Sequence, residues 1–234
     1  AAEDVRTVLF RARAKAMETG RPCGVMFTRY ETAQDACLVM RQVESPPPYG
    51  GALVGTKVSL TGSNPYQVII VPESGTPADI ALEQQYWKAL VQDDDLIQIN
   101  YMGEMMRISS GGTYVASNSP LPNSMLDPQS VPFKVYRQPQ PSLSKPSVLP
   151  EGMVVDMEYS GVGITGAQFS PTVAPEPIII MFAADGSVDG VYYDDGSGYG
   201  RHYVSEPIYL LVGAWDQTKG IADLTAATDP VPYN

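Results

Sequence analysis

With 234 residues and a formal net charge of −11, the chain is long enough to bury a core and too acidic to favour nucleic acid as a partner. Only 18% of it is charged, while Gly and Pro number 21 each and Tyr 14, the mixture of a loop-rich, mostly β protein of one large or two small domains. No apolar run within it reaches the length of a membrane-spanning helix, and no stretch has the layout of a signal peptide.

The first element is the clearest. Val5, Val8, Leu9, Ala12 and Ala16 fall at helical spacing, which predicts a helix over residues 4–19 with one apolar stripe. Arg6, Arg11, Arg13, Lys15 and Glu18 occupy the remaining faces, and Glu3 with Asp4 sits at the N-terminal end, where the helix dipole favours acid. Gly20 suits the left-handed position after the last turn, and Pro22 blocks any continuation. Cys23–Phe27 then reads as a strand.

Val25–Tyr30 and Ala36–Val43 read as a hairpin turning near Thr32-Ala33-Gln34. That register sets Cys23 opposite Val43 and Cys37 opposite Arg29, too far apart along the ladder for a disulfide. Both thiols are expected free and buried. Glu44–Gly51 is a proline and glycine break, and Leu53–Leu60 and Tyr66–Val71 form a second strand pair.

Thr76 as N-cap and Pro77 at the first helical position open a second helix, with Ile80, Trp87, Leu90 and Val91 on one stripe to about residue 92. Leu96–Tyr101 alternates, with Ile97, Ile99 and Tyr101 on one face, and Gly103 turns it into Met105–Ile108. Residues 109–131 lack periodicity and read as a long surface loop. Phe133–Arg137 is a short strand, and Gln138–Pro150 a proline-rich connection. Gly152–Tyr159 is a strand, followed by the glycine-rich turn Ser160–Ala167. Ile178–Phe182, a turn carrying Asp185-Gly186, and Val188–Tyr193 make another hairpin. Glu206–Asp216 is the last strong strand, and Thr225–Asn234 reads as a polar ending.

The charged Ala-rich helix ending in Gly20-Arg21-Pro22 and running into a hydrophobic strand resembles type IV pilin-like proteins, within them the GspH/FimT group of minor pseudopilins and pilins. The strand Ile178–Phe182, the Asp185-Gly186 turn and the returning strand resemble the same group. The resemblance covers the first 27 residues and roughly 150–216. It implies an α+β fold, an N-terminal helix packed on a mostly antiparallel, loop-rich β domain. Residues 1–20 would be the soluble half of the pilin-like helix and 21–234 the β domain, with a long excursion at about 73–150. The resemblance further implies a leader and an apolar membrane-anchoring segment ahead of Ala1. Its partners would be other pilin or pseudopilin subunits and, through that segment, the bacterial inner membrane. The location would be extracytoplasmic: inner membrane and periplasm, or cell surface.

No catalytic constellation emerges. His202 is the sole histidine, which excludes a multi-histidine metal site and most triads. Gly196-Ser197-Gly198-Tyr199-Gly200 imitates a nucleophile elbow inside a hairpin loop, and Gly161–Gly166 imitates a dinucleotide loop with no crossover helix after it. Asp185, Asp189, Asp194 and Asp195 have the composition of a cation site but no EF-hand spacing, and read as solvated turn aspartates. A hydrolase would need paired carboxylates such as Asp93–Asp95 or Glu151 with Asp156, and adjacent turn carboxylates do not face each other across a substrate. The expectation is a non-catalytic structural subunit of a type IV pilus-like or type II secretion filament, without catalytic, cofactor or metal residues. An extracellular β domain that binds a glycan or protein, an adhesin, is the alternative.

Overall fold

In the computed structural model, the described residues are 1–30, 33–117, 120–127, 129–163, 169, 176–196 and 199–214. The chain opens with α1 (Ala2–Thr19), β1 (Cys23–Tyr30), β2 (Ala33–Glu44), β3 (Lys57–Thr61) and β4 (Tyr66–Val71). It continues with α2 (Pro77–Leu90), β5 (Leu96–Ile99), β6 (Met105–Ser109), β7 (Tyr114–Ala116), a 3-10 turn at Asn123–Met125 and β8 (Phe133–Tyr136). The last part holds β9 (Gln140–Pro141), β10 (Ser147–Val148), β11 (Met153–Val162), β12 (Ile178–Phe182), β13 (Val188–Asp194), β14 (Tyr199–His202) and β15 (Ile208–Ala214). These elements form two compact units: residues 1–44 with 139–234, and residues 45–138.

In the first unit the sheet runs β14-β13-β12-β1-β2-β11-β15, every pair antiparallel, with the short β9 and β10 also on β2. The expected stripe packs α1 against it: Val5, Ala12 and Ala16 are buried with Val25, Phe27 and Ile180, and Val8 and Leu9 are half-buried beside them. Two alanines at the contact let the helix backbone approach the strands closely. Gly20 ends α1 in the left-handed conformation, φ 66°, with its N–H on the Ala16 carbonyl at 3.0 Å. Gly24 is required by β12, because a Cβ there would lie 2.2 Å from the Ile180 carbonyl oxygen.

Both cysteines are free and buried. The hairpin register is Cys23 opposite Glu44 and Cys37 opposite Arg29. Irregularities on either side of Arg29 move the Cys23 end by one position, which residue counting alone does not foresee. The turn residues 31 and 32 lie outside the described residues, as do 164–167 of the expected glycine-rich turn, 215–216 of the last strand and the whole 225–234 ending.

In the second unit the sheet runs β3-β4-β7-β6-β5-β8, again antiparallel. Its core centres on three aromatic rings, Tyr49, Trp87 and Phe133, with centroids 5.8–6.2 Å apart. Around them lie Val58, Leu60, Ile97, Met106, Ile108 and Val115. α2 begins as expected, with Thr76 Oγ1 accepting from the Asp79 N–H at 3.2 Å and Pro77 in the first turn.

The α+β expectation is overturned. Among the described residues 44% are in strands and 18% in helix, so the protein is a β-rich fold of two antiparallel sheets, not a pilin-like helix packed on one β domain. The error has a physical source. Residues 109–131, expected as a loop, contain β7 and the 3-10 turn, and β7 spans three residues with only Val115 inward. Such a strand has no periodicity to detect, yet it bridges β4 and β6 and makes the second sheet continuous. Tyr101, expected on the Ile97–Ile99 face, instead follows Asn100 in a turn with φ near 55° and is exposed.

Candidate functional site

The most distinctive surface of the first unit is the outward side of α1. Arg6, Phe10, Arg13 and Met17 recur at helical spacing beside the buried stripe, and Phe10 and Met17 are 52% and 48% exposed. The Arg6 guanidinium lies 5.3 Å from the Phe10 ring centroid and reaches Glu3 at 3.3 Å. Along this side runs an apolar groove of about 360 Å³, lined by Leu9, Phe10, Phe182, Ile208, Leu210 and Val212, with Arg6 and Arg13 its charged members. Apolar area alternating with guanidinium is the composition of an interaction surface.

The four aspartates singled out in the sequence are spent on four different partners. Asp185 accepts from the Ser187 N–H at 2.8 Å and the Ser187 hydroxyl at 2.6 Å, bonds that hold its carboxyl below the usual range. Asp189 pairs with Arg201 at 2.7 Å, Asp194 accepts from the Gly196 N–H at 2.8 Å, and Asp195 lies 3.9 Å from His202 Nδ1. Among the described residues no three His, Cys, Asp or Glu side chains converge as a metal group. His202 stacks on Tyr193, centroids 4.0 Å apart, with Nε2 3.1 Å from the Tyr193 carbonyl. Gly161 and Val162 end β11 and Gly163 follows in a turn, while 164–166 of that glycine motif and 197–198 of the elbow-like motif lie outside the described residues.

The other carboxylates also have separate structural tasks. Asp93 accepts from the Gly111 N–H at 2.7 Å, Asp94 pairs with Arg107 at 3.1 Å, and buried Asp95 accepts from the N–H groups of Gln92 and Gln138 at 2.9 and 2.7 Å. Burial pushes the Asp95 carboxyl up despite those bonds. Asp156 accepts from the N–H groups of Glu158 and Tyr159 and thereby shapes the irregularity in β11, while Glu151 lies in the turn before that strand. Burial pushes the Cys37 thiol up to about 12, so it stays protonated and unreactive.

One charged residue escaped the sequence reading. Glu83 is fully buried and accepts four bonds from the 49–56 segment. The donors are the Tyr49 hydroxyl at 2.9 Å, the Ala52 N–H at 3.1 Å, the Leu53 N–H at 2.5 Å and the Thr56 hydroxyl at 2.7 Å. Burial raises its pKa, but these donors outweigh burial and hold the carboxyl below the ordinary glutamate value. The same burial and the carboxylate push the Tyr49 hydroxyl up. A signal existed: Ile80, Glu83, Trp87 and Leu90 share one helical stripe, and a glutamate inside an apolar stripe needs a partner. The second unit also has a cleft of about 370 Å³ between β4 and α2, lined by polar Gln67, Gln84 and Lys88 and by apolar Val68, Ile69 and Ile70.

Compared with known proteins, the chain matches no family model, no curated protein and no solved structure.

Proposed function

We propose that this protein is a non-catalytic structural subunit of a bacterial extracytoplasmic filament of the type IV pilus or secretion pseudopilus kind. With the pilin-like fold class overturned, the reading rests on α1. The observation that carries it is the second stripe of that helix, in which exposed Phe10 and Met17 alternate with Arg6 and Arg13. Exposed apolar side chains flanked by guanidinium groups suit a helix that meets neighbouring subunits on one side and its own sheet on the other. The partners are then further filament subunits, reached through this stripe.

The test is made in cells carrying the full-length gene. Arg13→Glu and Phe10→Asp should leave the folded soluble chain intact and abolish filament assembly. Normal filaments in both variants, or substrate turnover by the soluble chain, would overturn the reading. A second reading, an adhesin-like binding domain, is favoured by the cleft with Gln67, Gln84 and Lys88, polar side chains suited to the hydroxyls of a glycan. Glycan-array binding lost in Gln84→Ala and Lys88→Ala, both exposed positions, would support it, and its retention in both would overturn it.

A further inference from the structure

A sheet edge exposes unpaired main-chain donors and acceptors, and natural sheets blunt such edges with cover, charge, proline or shortness. In the second unit, the outer edge of β3 is bridged by Val131 and Leu126, and that of β8 by Tyr49. In the first unit, edge strand β14 is four residues long and carries Arg201 and His202. Among the described residues the other edge, β15, has none of these protections. Its seven residues Ile208–Ala214 contain no charge and no proline, and among the described residues its only sheet partner is β11.

The direction of that free edge can be read from two bonds. The Leu211 N–H donates to Ser160 Oγ at 3.0 Å, and the Pro207 carbonyl accepts from the Gly163 N–H at 2.9 Å. Odd-numbered residues therefore aim their main-chain groups at β11. Alternation turns those of Ile208, Leu210, Val212 and Ala214 outward. The side chains of Ile208, Leu210 and Val212 line the apolar groove beside α1.

We propose that β15 pairs antiparallel with β15 of a second copy of this chain, about a two-fold axis at Leu211. This is the register with full overlap, and it matches size as well as length. Ile208 faces Ala214, Tyr209 faces Gly213, Leu210 faces Val212, and Leu211 faces its own counterpart. Tyr209 is 53% exposed, and across an antiparallel pair it lies opposite Gly213, which is buried in its own chain and has no side chain to clash with the ring. The groove-facing residues of the second strand continue the apolar floor beneath Phe10. The strands themselves carry no charge, while each copy carries −11, so net repulsion opposes the approach and added salt should favour it. Seven residues span only about 24 Å of strand, below the contact of a permanent dimer, so association falls between about 10 μM and 1 mM. The inference stands on the strand edge and does not depend on the filament reading.

Sedimentation equilibrium on the full 234-residue chain tests it. The mass should rise from one copy toward two across that concentration range. Val212→Pro removes an outward donor while leaving the ladder to β11 intact, and should weaken association at least tenfold, about the loss of one main-chain bond at each of two symmetric positions. Leu211→Cys, facing itself across the axis, should give an intermolecular disulfide under mild oxidation, whereas Tyr209→Cys, facing glycine, should not. A single-copy mass throughout with no cross-linking of Leu211→Cys would overturn the proposal. So would a dimer that Val212→Pro leaves unchanged. Amides of Leu210 and Val212 protected from exchange in a single-copy species would mean the chain covers its own edge, which also overturns it. Should Val212→Pro fail to fold, the contrast between the two cysteine variants decides alone.

Discussion

The two helices of this protein solve the same problem by different chemistry. α1 lies on its sheet through small and aliphatic side chains, with Ala12 and Ala16 fully buried and the Lys15–Glu44 pair to β2 only at the part-exposed margin. α2 buries Trp87 and, four residues before it, Glu83, whose carboxylate gathers four donors from the 49–56 segment. The apolar contact tolerates gradual change and is indifferent to pH. The polar one is directional, holds an irregular segment that no strand ladder could hold, and fails abruptly if one partner is lost.

The largest effect should come from Glu83. Glu83→Ala leaves two N–H groups and the Tyr49 hydroxyl without their acceptor in a buried site, Thr56 Oγ1 keeping the Leu53 carbonyl at 2.9 Å, and should cost about 3–5 kcal/mol. Denaturation followed by Trp87 fluorescence in a Trp215→Phe background would measure it. A loss below about 1 kcal/mol would show that water replaces the carboxylate and that the contrast between the helices is superficial.

Next is Leu9→Asp on α1, which puts a carboxylate against Phe182 and Val212 and should cost about 2–3 kcal/mol, read as a lowered denaturation midpoint.

The pH dependence separates the helices more finely. The folded pKa of Glu83 lies below its unfolded value of about 4.3, so its contribution is present above that pH and is lost as pH falls through the folded value. Asp95, whose pKa is raised by burial, acts with the opposite sign: its ionised form is disfavoured in the fold, so protonation relieves part of the acid loss. Denaturation midpoints from pH 6 to 3 should therefore fall, and Glu83→Gln should flatten the curve. An unchanged slope in Glu83→Gln would assign the acid sensitivity elsewhere.

The smallest effect is expected at the surface of α1. Lys15 and Glu44 pair at 2.6 Å but are 36% and 42% exposed, so Lys15→Ala should change stability by no more than about 0.5 kcal/mol. A larger loss would mean that α1, too, depends on charge.

Much of the local structure was legible in the residues themselves. α1 was set by its stripe and its Gly20-Arg21-Pro22 stop, α2 by Thr76 and Pro77, and β12 with β13 by a hydrophobic run and an Asp-Gly turn. Each is a short-range pattern in which neighbours in sequence supply both the signal and the energetics. The absence of a disulfide followed from strand spacing, which tolerated a one-residue error in register.

What the chain order could not disclose was decided at long range. β7 is a strand because β4 and β6 flank it, and the second sheet closes through residues with no periodicity of their own. Glu83 is buried because a segment some thirty positions earlier brings four donors to it. The four aspartates near β13 fail to converge because each finds a nearer partner in Ser187, Arg201, Gly196 or His202. For β7 and Glu83 the deciding energy is a hydrogen bond or a contact between residues far apart in sequence, whereas the aspartates are claimed by partners two to twelve positions away. Composition and periodicity record only the capacity to make it; tertiary structure chooses the partner.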